Sequence, residues 1–335
     1  MTAAAIFGCA GLRLSAAERD FFRAVDPVGF ILFGRNVDTP DQVRALVSSL
    51  RESVGRAEVP VLIDQEGGRV ARLRPPHWPA RPAAASFGEL YARRGAASAR
   101  EAARLDARLI ADDLMALGID VACAPVLDLR YSGAHAVVGD RAFAGDPTVV
   151  ASLAGSFIEG LNEGGVTAVL KHAPGHGRVT LDTHLALPVV DATLTELAAT
   201  DFLPFRTLAS RGWAMTAHIV YRAIDPTRPA TLSPVVVAKV IRGHIGFGGF
   251  LLTDDLSMKA LSGSFAERTR RALSAGCDAA LHCNGDMAEM TEVASAVTPL
   301  SEQARERLRR AYPAGAAKVC DRAAMQATLD MLMAA

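Results

Sequence analysis

The chain has 335 residues, half of them apolar and 21% charged. It is too long for a disulfide-stapled mini-protein and too apolar for a disordered chain. Its 36 basic and 36 acidic residues cancel without a long run of either sign, which excludes a broad electrostatic footprint for nucleic acid or an anionic membrane.

The N-terminal MTAAAIFGCAG has neither a basic leader nor a sufficient apolar run for a signal peptide. No segment reaches the roughly 20 apolar residues of a spanning helix, so a cytoplasmic globular protein is expected. Short runs rich in Val, Ile and Leu then recur along the chain: AIFGC (5–9), GFILF (29–33), VPVLI (59–63), DVACAPV (120–126), VTAVL (166–170), WAMTAH (213–218), GFLLT (249–253) and DAALH (278–282). They are apolar throughout rather than alternating, as strands covered on both faces are. Helical patterns lie between them. TPDQVRALVSSLRES offers Asp38 or Thr39 as N-cap and Pro40 at the first position. In SAREAARLDARLIADDLMALG, Leu105, Leu109, Ile110, Leu114 and Leu117 recur at helical spacing. DPTVVASLAGSFIEGLNEGG closes on a glycine pair, as helix C-termini often do. PPHWPARPAAA (75–85) reads as an ordered crossing loop. Five scattered cysteines (Cys9, Cys123, Cys277, Cys283, Cys320) read as free thiols, without zinc spacing.

Eight βα units in this length predict a (β/α)8 TIM-type barrel. It is expected as a single catalytic domain over 1–335, with C-terminal helices over 298–335 packed on it. The polar residues agree: Gly34-Arg35-Asn36, Asp64-Gln65-Glu66, Asp128, Lys171-His172, His218, Asp254-Asp255 and Asn284 all end strands, on the face where barrel enzymes build sites. Gly8-Cys9-Ala10-Gly11 is no dinucleotide fingerprint.

Three constellations could carry chemistry. KHAPGHGRVTLDTH puts Lys171, His172, His176, Asp182 and His184 on one long polar loop over 172–187. A lone loop histidine is more often structural, but three beside an acid on the active face weigh otherwise. Asp182 and His184, two apart, face the same side of an extended stretch, where the carboxylate can fix the imidazole tautomer for acid–base work. In LLTDDLSM one of Asp254 and Asp255 can aim into the barrel mouth while the other caps the turn. In DQEGGRVARLR, Asp64 can accept two vicinal hydroxyls, or simply pair with an arginine of the loop. No His-x-His follows the first strand and no HExxH occurs, so neither metal nor cofactor is expected.

Together ILFGRN, IDQEGGRVARL, APVLDL, GDRAF, KHAPGHGRVTLDTH and TDDLSM resemble glycoside hydrolase family 3. Within it they resemble the single-domain bacterial β-N-acetylglucosaminidases of cell-wall recycling. The resemblance implies a retaining mechanism, with Asp254 as nucleophile and His184, oriented by Asp182, as general acid/base in place of the usual carboxylic acid. It implies that Asp64, Arg72, Arg141, Lys171 and His172 hold the sugar's hydroxyls and N-acetyl group. Met215 and His218 would line the pocket, and His176 would serve loop architecture. An imidazolium is a competent proton donor near pH 7 without the pKa elevation that a second carboxylic acid would need. The implied substrate is a peptidoglycan-derived amino sugar, chiefly N-acetylglucosaminyl anhydro-muropeptides, and a monomer is the default assembly. Ala173 stands where the family more often has Phe, and Thr183 where it has Ser. Phosphorolysis in place of hydrolysis, β-glucosidase activity, or an inactive sugar-binding barrel are the alternatives.

Overall fold

All eight expected strands form, and they close into one parallel barrel in chain order: β1 Ala3–Phe7, β2 Pro27–Leu32, β3 Val61–Ile63, β4 Val121–Ala122, β5 Thr167–Ala173, β6 Trp213–Thr216, β7 Leu251–Asp255 and β8 Ala279–His282. Each strand pairs with the next, and β8 returns to β1 with Ile6 opposite Leu281. This computed structural model describes residues 1–133, 138–179, 187–312 and 315–334. The fold is the (β/α)8 barrel read from the sequence. β4 is shorter than its apolar run because Pro125 has no N–H to give the ladder; pairing resumes only as a bridge between Val126 and Lys171.

The apolar runs are continuous because both strand faces are buried. Ile6, Val28, Leu62, Val121, Val169, Trp213, Leu252 and Leu281 fill the barrel, while Phe7, Phe30, Ile63, Ala122, Leu170 and Leu251 turn outward against helices. The surrounding helices are α1 Ala16–Val25, α2 Pro40–Val54, α3 Ala84–Met115, α4 Pro147–Glu163, α5 Leu194–Ala199, α6 Phe202–Thr207, α7 Phe265–Ala275 and α8 Met287–Ala294. A π-wound helix spans Val236–His244 between β6 and β7. Thr39 caps α2 with Pro40 following, and Asp146 caps α4. α3 starts well before the stretch expected from sequence, because Phe87 and Leu90 extend its buried face; Gly95 at φ 82° kinks it there. Beyond the barrel, α9 (Glu302–Ala311) sends Ala304 and Leu308 against Leu300 and the barrel interior. α10 (Arg322–Ala334) lies on α3, burying Leu329. No helix among the described residues is long and apolar enough to cross a membrane.

One core group sets a pH dependence. Asp106 of α3 is fully buried with neither carboxyl oxygen hydrogen-bonded. Burial, and secondarily the Asp113 charge, push its carboxyl up to about 7, with Arg81 opposing. The folded value lies above the unfolded one of about 3.9, so the folded state binds the proton more tightly. Stability therefore falls as pH climbs between those values and is lowest above 7. Asp106→Asn is expected to remove much of that loss and to raise the melting temperature by a few degrees at pH 8 relative to wild type. Scans at pH 5 and pH 8 giving the same difference for both proteins would refute this.

Candidate active site

The polar site is built where β3, β4, β5 and β7 end. Asp64 follows β3 directly, and the chain then turns into a hairpin, Gln65–Gly67 against Val70–Ala71. In this extended stretch Asp64 and Glu66 fall two residues apart, on the same side. Both meet Lys171 of β5, whose Nζ lies 2.9 Å from Asp64 Oδ1 and 2.6 Å from Glu66 Oε1. Asp64 Oδ2 accepts from Arg72 at 2.8 Å. Both Glu66 oxygens accept from Arg141, each at 2.8 Å, in a bidentate fork. Two carboxylates thus face three cations in a nearly dry setting. Burial alone would raise both carboxyls, but Lys171 with Arg72 or Arg141 outweighs it and holds each below the usual carboxylate range. For the same reason the Lys171 ammonium, which burial would neutralise, stays charged, with its pKa above the ordinary lysine value. The Arg72 guanidinium also stacks on Phe33 at 5.1 Å, and Arg35 reaches the same ring at 5.2 Å.

A second network fixes the histidines. Asp128, beyond β4 and fully buried, accepts from His172 Nδ1 at 2.7 Å and from the backbone N–H groups of His172 (3.1 Å) and His176 (2.7 Å). Burial opposes its charge, yet His172 and these bonds hold the carboxyl down to about 2. Asp128 therefore takes the Nδ1 proton of His172 as a hydrogen bond, setting the ring's orientation. His176 stands 5.4 Å from that ring, and burial followed by the His172 charge pushes it down to about 4, so it is neutral at pH 7.

Asp254 and Asp255 end β7 and divide their labour as a strand's alternation requires. Asp255 binds its own turn: it accepts from Ser257 N–H at 3.0 Å, from the Ser257 hydroxyl at 2.5 Å and from Cys283 N–H at 3.2 Å. Asp254 accepts from Asp255 N–H at 2.8 Å. Burial pushes the Asp254 carboxyl up, but His172, His218 and Lys171 prevail and keep it ionised. It lines a cavity of about 400 Å³ together with Asp64, Arg72, Arg141, Lys171, His172 and Met215.

Seven of the residues singled out from sequence thus converge on one pocket. His218 stands behind it instead: Nε2–H donates to the Asp255 carbonyl at 3.0 Å and Nδ1 lies 2.7 Å from the Thr231 hydroxyl, so both nitrogens are engaged. Asp182 and His184 lie outside the described residues. His176, read as loop architecture, lines the cavity as well as anchoring its loop through its N–H. Sequence reasoning placed Glu66 and Asp128 at strand ends on the site face but gave neither a role. The two-residue spacing from Asp64 was the available signal for Glu66; Asp128 had only its place at a strand end.

The role of Asp128 can be tested directly. Asp128→Asn keeps an acceptor for the two backbone N–H groups but loses the charged partner of His172. A charge-assisted bond of this kind contributes about 1.5–3 kcal/mol to the folded state, so the melting temperature is expected to fall by several degrees, and kcat/KM roughly 10–100-fold as the His172 ring loses its fixed orientation. A change within twofold would show that His172 needs no such partner.

A closed (β/α)8 barrel with an ionised, half-buried carboxylate at its C-terminal mouth, sharing a cavity with cations and imidazoles, has the layout of a barrel glycosidase. Comparison with known proteins agrees. The model of the glycosyl hydrolase family 3 N terminal domain matches residues 11–312. A beta-hexosaminidase of Alkalilimnicola ehrlichii is 41% identical over 83% of this chain and 80% of its own length. One from Pseudomonas aeruginosa is 39% identical over 90% and 88%. The crystal structure of NagZ from Neisseria gonorrhoeae in complex with N-trifluoroacetyl-D-glucosamine superposes with a TM-score of 0.88 at 33% identity, covering 98% of both chains. The chain belongs to glycosyl hydrolase family 3.

Proposed function

We propose that this protein is a retaining exo-β-N-acetylglucosaminidase that removes terminal β-linked N-acetylglucosamine from peptidoglycan fragments, chiefly anhydro-muropeptides. At the coarser level it is a glycoside hydrolase, a β-N-acetylhexosaminidase. The observation that carries the mechanistic reading is Asp254: a half-buried carboxylate kept ionised against desolvation, lining one cavity with Asp64, Arg72, Arg141, Lys171 and His172.

In the first step an Asp254 oxygen attacks the anomeric carbon as the glycosidic C–O bond breaks, and the His184 imidazolium gives its proton to the departing oxygen. In the second, water attacks the same carbon, its proton passes to His184, and the Asp254 carboxylate leaves. Asp182 holds the His184 tautomer. Asp64, Arg72, Arg141, Lys171 and His172 present acceptors and donors in fixed positions for the sugar's hydroxyls and acetamido group. Because those donors are already charged and oriented, little reorganisation accompanies charge development at the ring. A 400 Å³ pocket suits one terminal sugar better than an internal chain segment, in keeping with exo action. A monomeric, cytoplasmic enzyme without metal or cofactor belongs to the same reading.

Release of nitrophenol from the aryl β-N-acetylglucosaminide and the aryl β-glucoside tests the substrate class. The acetamido substrate is expected to react at least about tenfold faster in kcat/KM, the discrimination that roughly 1.4 kcal/mol of differential contact supplies. Equal or better turnover of the glucoside would overturn the substrate and leave the fold and family standing.

A further inference from the structure

Behind the hairpin that carries Glu66, Arg69 and Arg72 lies a charge cluster that no step of glycoside cleavage uses. The Arg81 side chain is only 2% exposed, and its terminal nitrogens reach Asp113 Oδ2 at 3.2 Å, Asp106 Oδ1 at 3.6 Å and Gln326 Oε1 at 3.1 Å. Asp106 and Asp113 belong to α3, Gln326 to α10. Asp113 is shared with Arg322 of α10, 2.5 Å away. Arg81 Nε and both Asp106 oxygens have no hydrogen-bond partner. So imperfect a buried ion cluster is a poor source of stability, since apolar packing would often do as well or better.

What the cluster holds is more specific. The Arg81 carbonyl accepts from Gly68 N–H at 2.9 Å, at the tip of the hairpin. Gly67 (φ 91°) and Gly68 (φ 54°) are seated on the next two residues so tightly that a Cβ on Gly67 would lie 2.1 Å from the Pro82 carbonyl oxygen. One on Gly68 would lie 2.7 Å from the Ala83 Cβ. The hairpin tip therefore rests on Arg81–Ala83, a segment held at one end by the Arg81 side chain and at the other by the start of α3.

We infer that Arg81 is a positioning residue for the substrate pocket: its side chain is fixed between α3 and α10, and its backbone seats the hairpin that aims Glu66 at Lys171 and Arg141 and Arg72 at Asp64. α10 is thereby a brace on sugar binding, although it contributes nothing to the pocket wall. The inference rests on the pocket holding the sugar as proposed above. Because the hairpin supplies ground-state contacts, loosening it raises KM more than it lowers kcat.

The test uses the full-length protein and the aryl β-N-acetylglucosaminide. Arg81→Met combined with Asp106→Asn and Asp113→Asn neutralises the buried part of the cluster and leaves Arg322, which is exposed, with Asp112 at 3.9 Å. It is expected to stay folded by circular dichroism, with KM at least fivefold higher and kcat within about twofold of wild type. Arg81→Lys is expected to recover part of that rise. Gln326→Leu with Arg322→Ala, which frees only the α10 side at the surface, is expected to raise KM about two- to threefold. A wild-type KM in the neutralised variant, whatever its melting temperature, overturns the assignment, as does a rise that Arg81→Lys leaves undiminished. A wild-type protein that turns over no such glycoside would instead sink the proposed function, so the two failures are distinct.

Discussion

Asp254→Asn is expected to lower kcat on the aryl β-N-acetylglucosaminide by about 10⁴-fold or more, the scale on which removal of a covalent nucleophile acts. The amide is nearly the same size, and among the described residues Asp254 makes one hydrogen bond, accepted from Asp255 N–H. The variant is therefore expected to keep its fold and to bind the product sugar. The reasoning is electrostatic. The carboxylate is half-buried and desolvation works against its charge, yet His172, His218 and Lys171 keep it ionised, so the surroundings are arranged to stabilise a negative charge where an anomeric carbon must be attacked. Steady-state kinetics, with circular dichroism as control, decide the matter. Retention of more than a hundredth of wild-type kcat would remove Asp254 from the nucleophile's place. Adding azide to Asp254→Gly, with formation of a glycosyl azide of inverted configuration, would support it from the opposite direction.

The second large effect concerns Lys171. Lys171→Met removes one ammonium from between the half-buried Asp64 and the buried Glu66, 2.9 and 2.6 Å away. Breaking a buried pair from one side costs about 3–5 kcal/mol because the remaining charges are stranded. The pH dependence of stability is expected to change sign. In the wild type the Asp64 and Glu66 carboxyls lie below their unfolded values. Their stabilisation is complete above the unfolded carboxyl values of about 4 and is lost as pH falls below them. Without Lys171 the crowded carboxyls rise above their unfolded values, so stability falls as pH climbs from about 4 towards 7. Thermal scans should show the variant closest to wild type near pH 4.5 and furthest from it near pH 7.5. Parallel curves would mean that Arg72 and Arg141 alone neutralise the pair. Activity should be lost at both pH values, since the ammonium also orients Asp64, which holds the sugar, and Glu66, which holds Arg141.

The barrel was legible because its strands are buried on both faces and so are written as continuous apolar runs, each followed by a polar end. Those ends pointed to the pocket: Asp64, Lys171, His172 and Asp254 each lie within two residues of a strand's C-terminal end, and all four line the cavity. The motifs identified the family more sharply than any composition could, and they placed Arg141, which alone looks like a surface charge. The 84–94 part of α3 was not legible, because Gly88 and Gly95 interrupt its helical pattern. Only contact explains Gly88: a Cβ there would lie 1.8 Å from the Phe143 carbonyl oxygen.

Strand number, chain order and the chemistry available at each strand end were thus determined by the sequence alone, because burial on two faces and alternation along a strand are local, periodic constraints. Partner choice was decided only by tertiary structure. Glu66 meets Arg141 across 75 residues, Asp128 meets His172 across 44, and Arg81 meets Gln326 across 245. A charge in a sequence has many possible counter-charges, and the barrel's closure selects among them by bringing distant strand ends to one mouth. The same closure turned His218 away from the cavity. Its ring is consumed by the Asp255 carbonyl and the Thr231 hydroxyl, and no spacing along the chain records that.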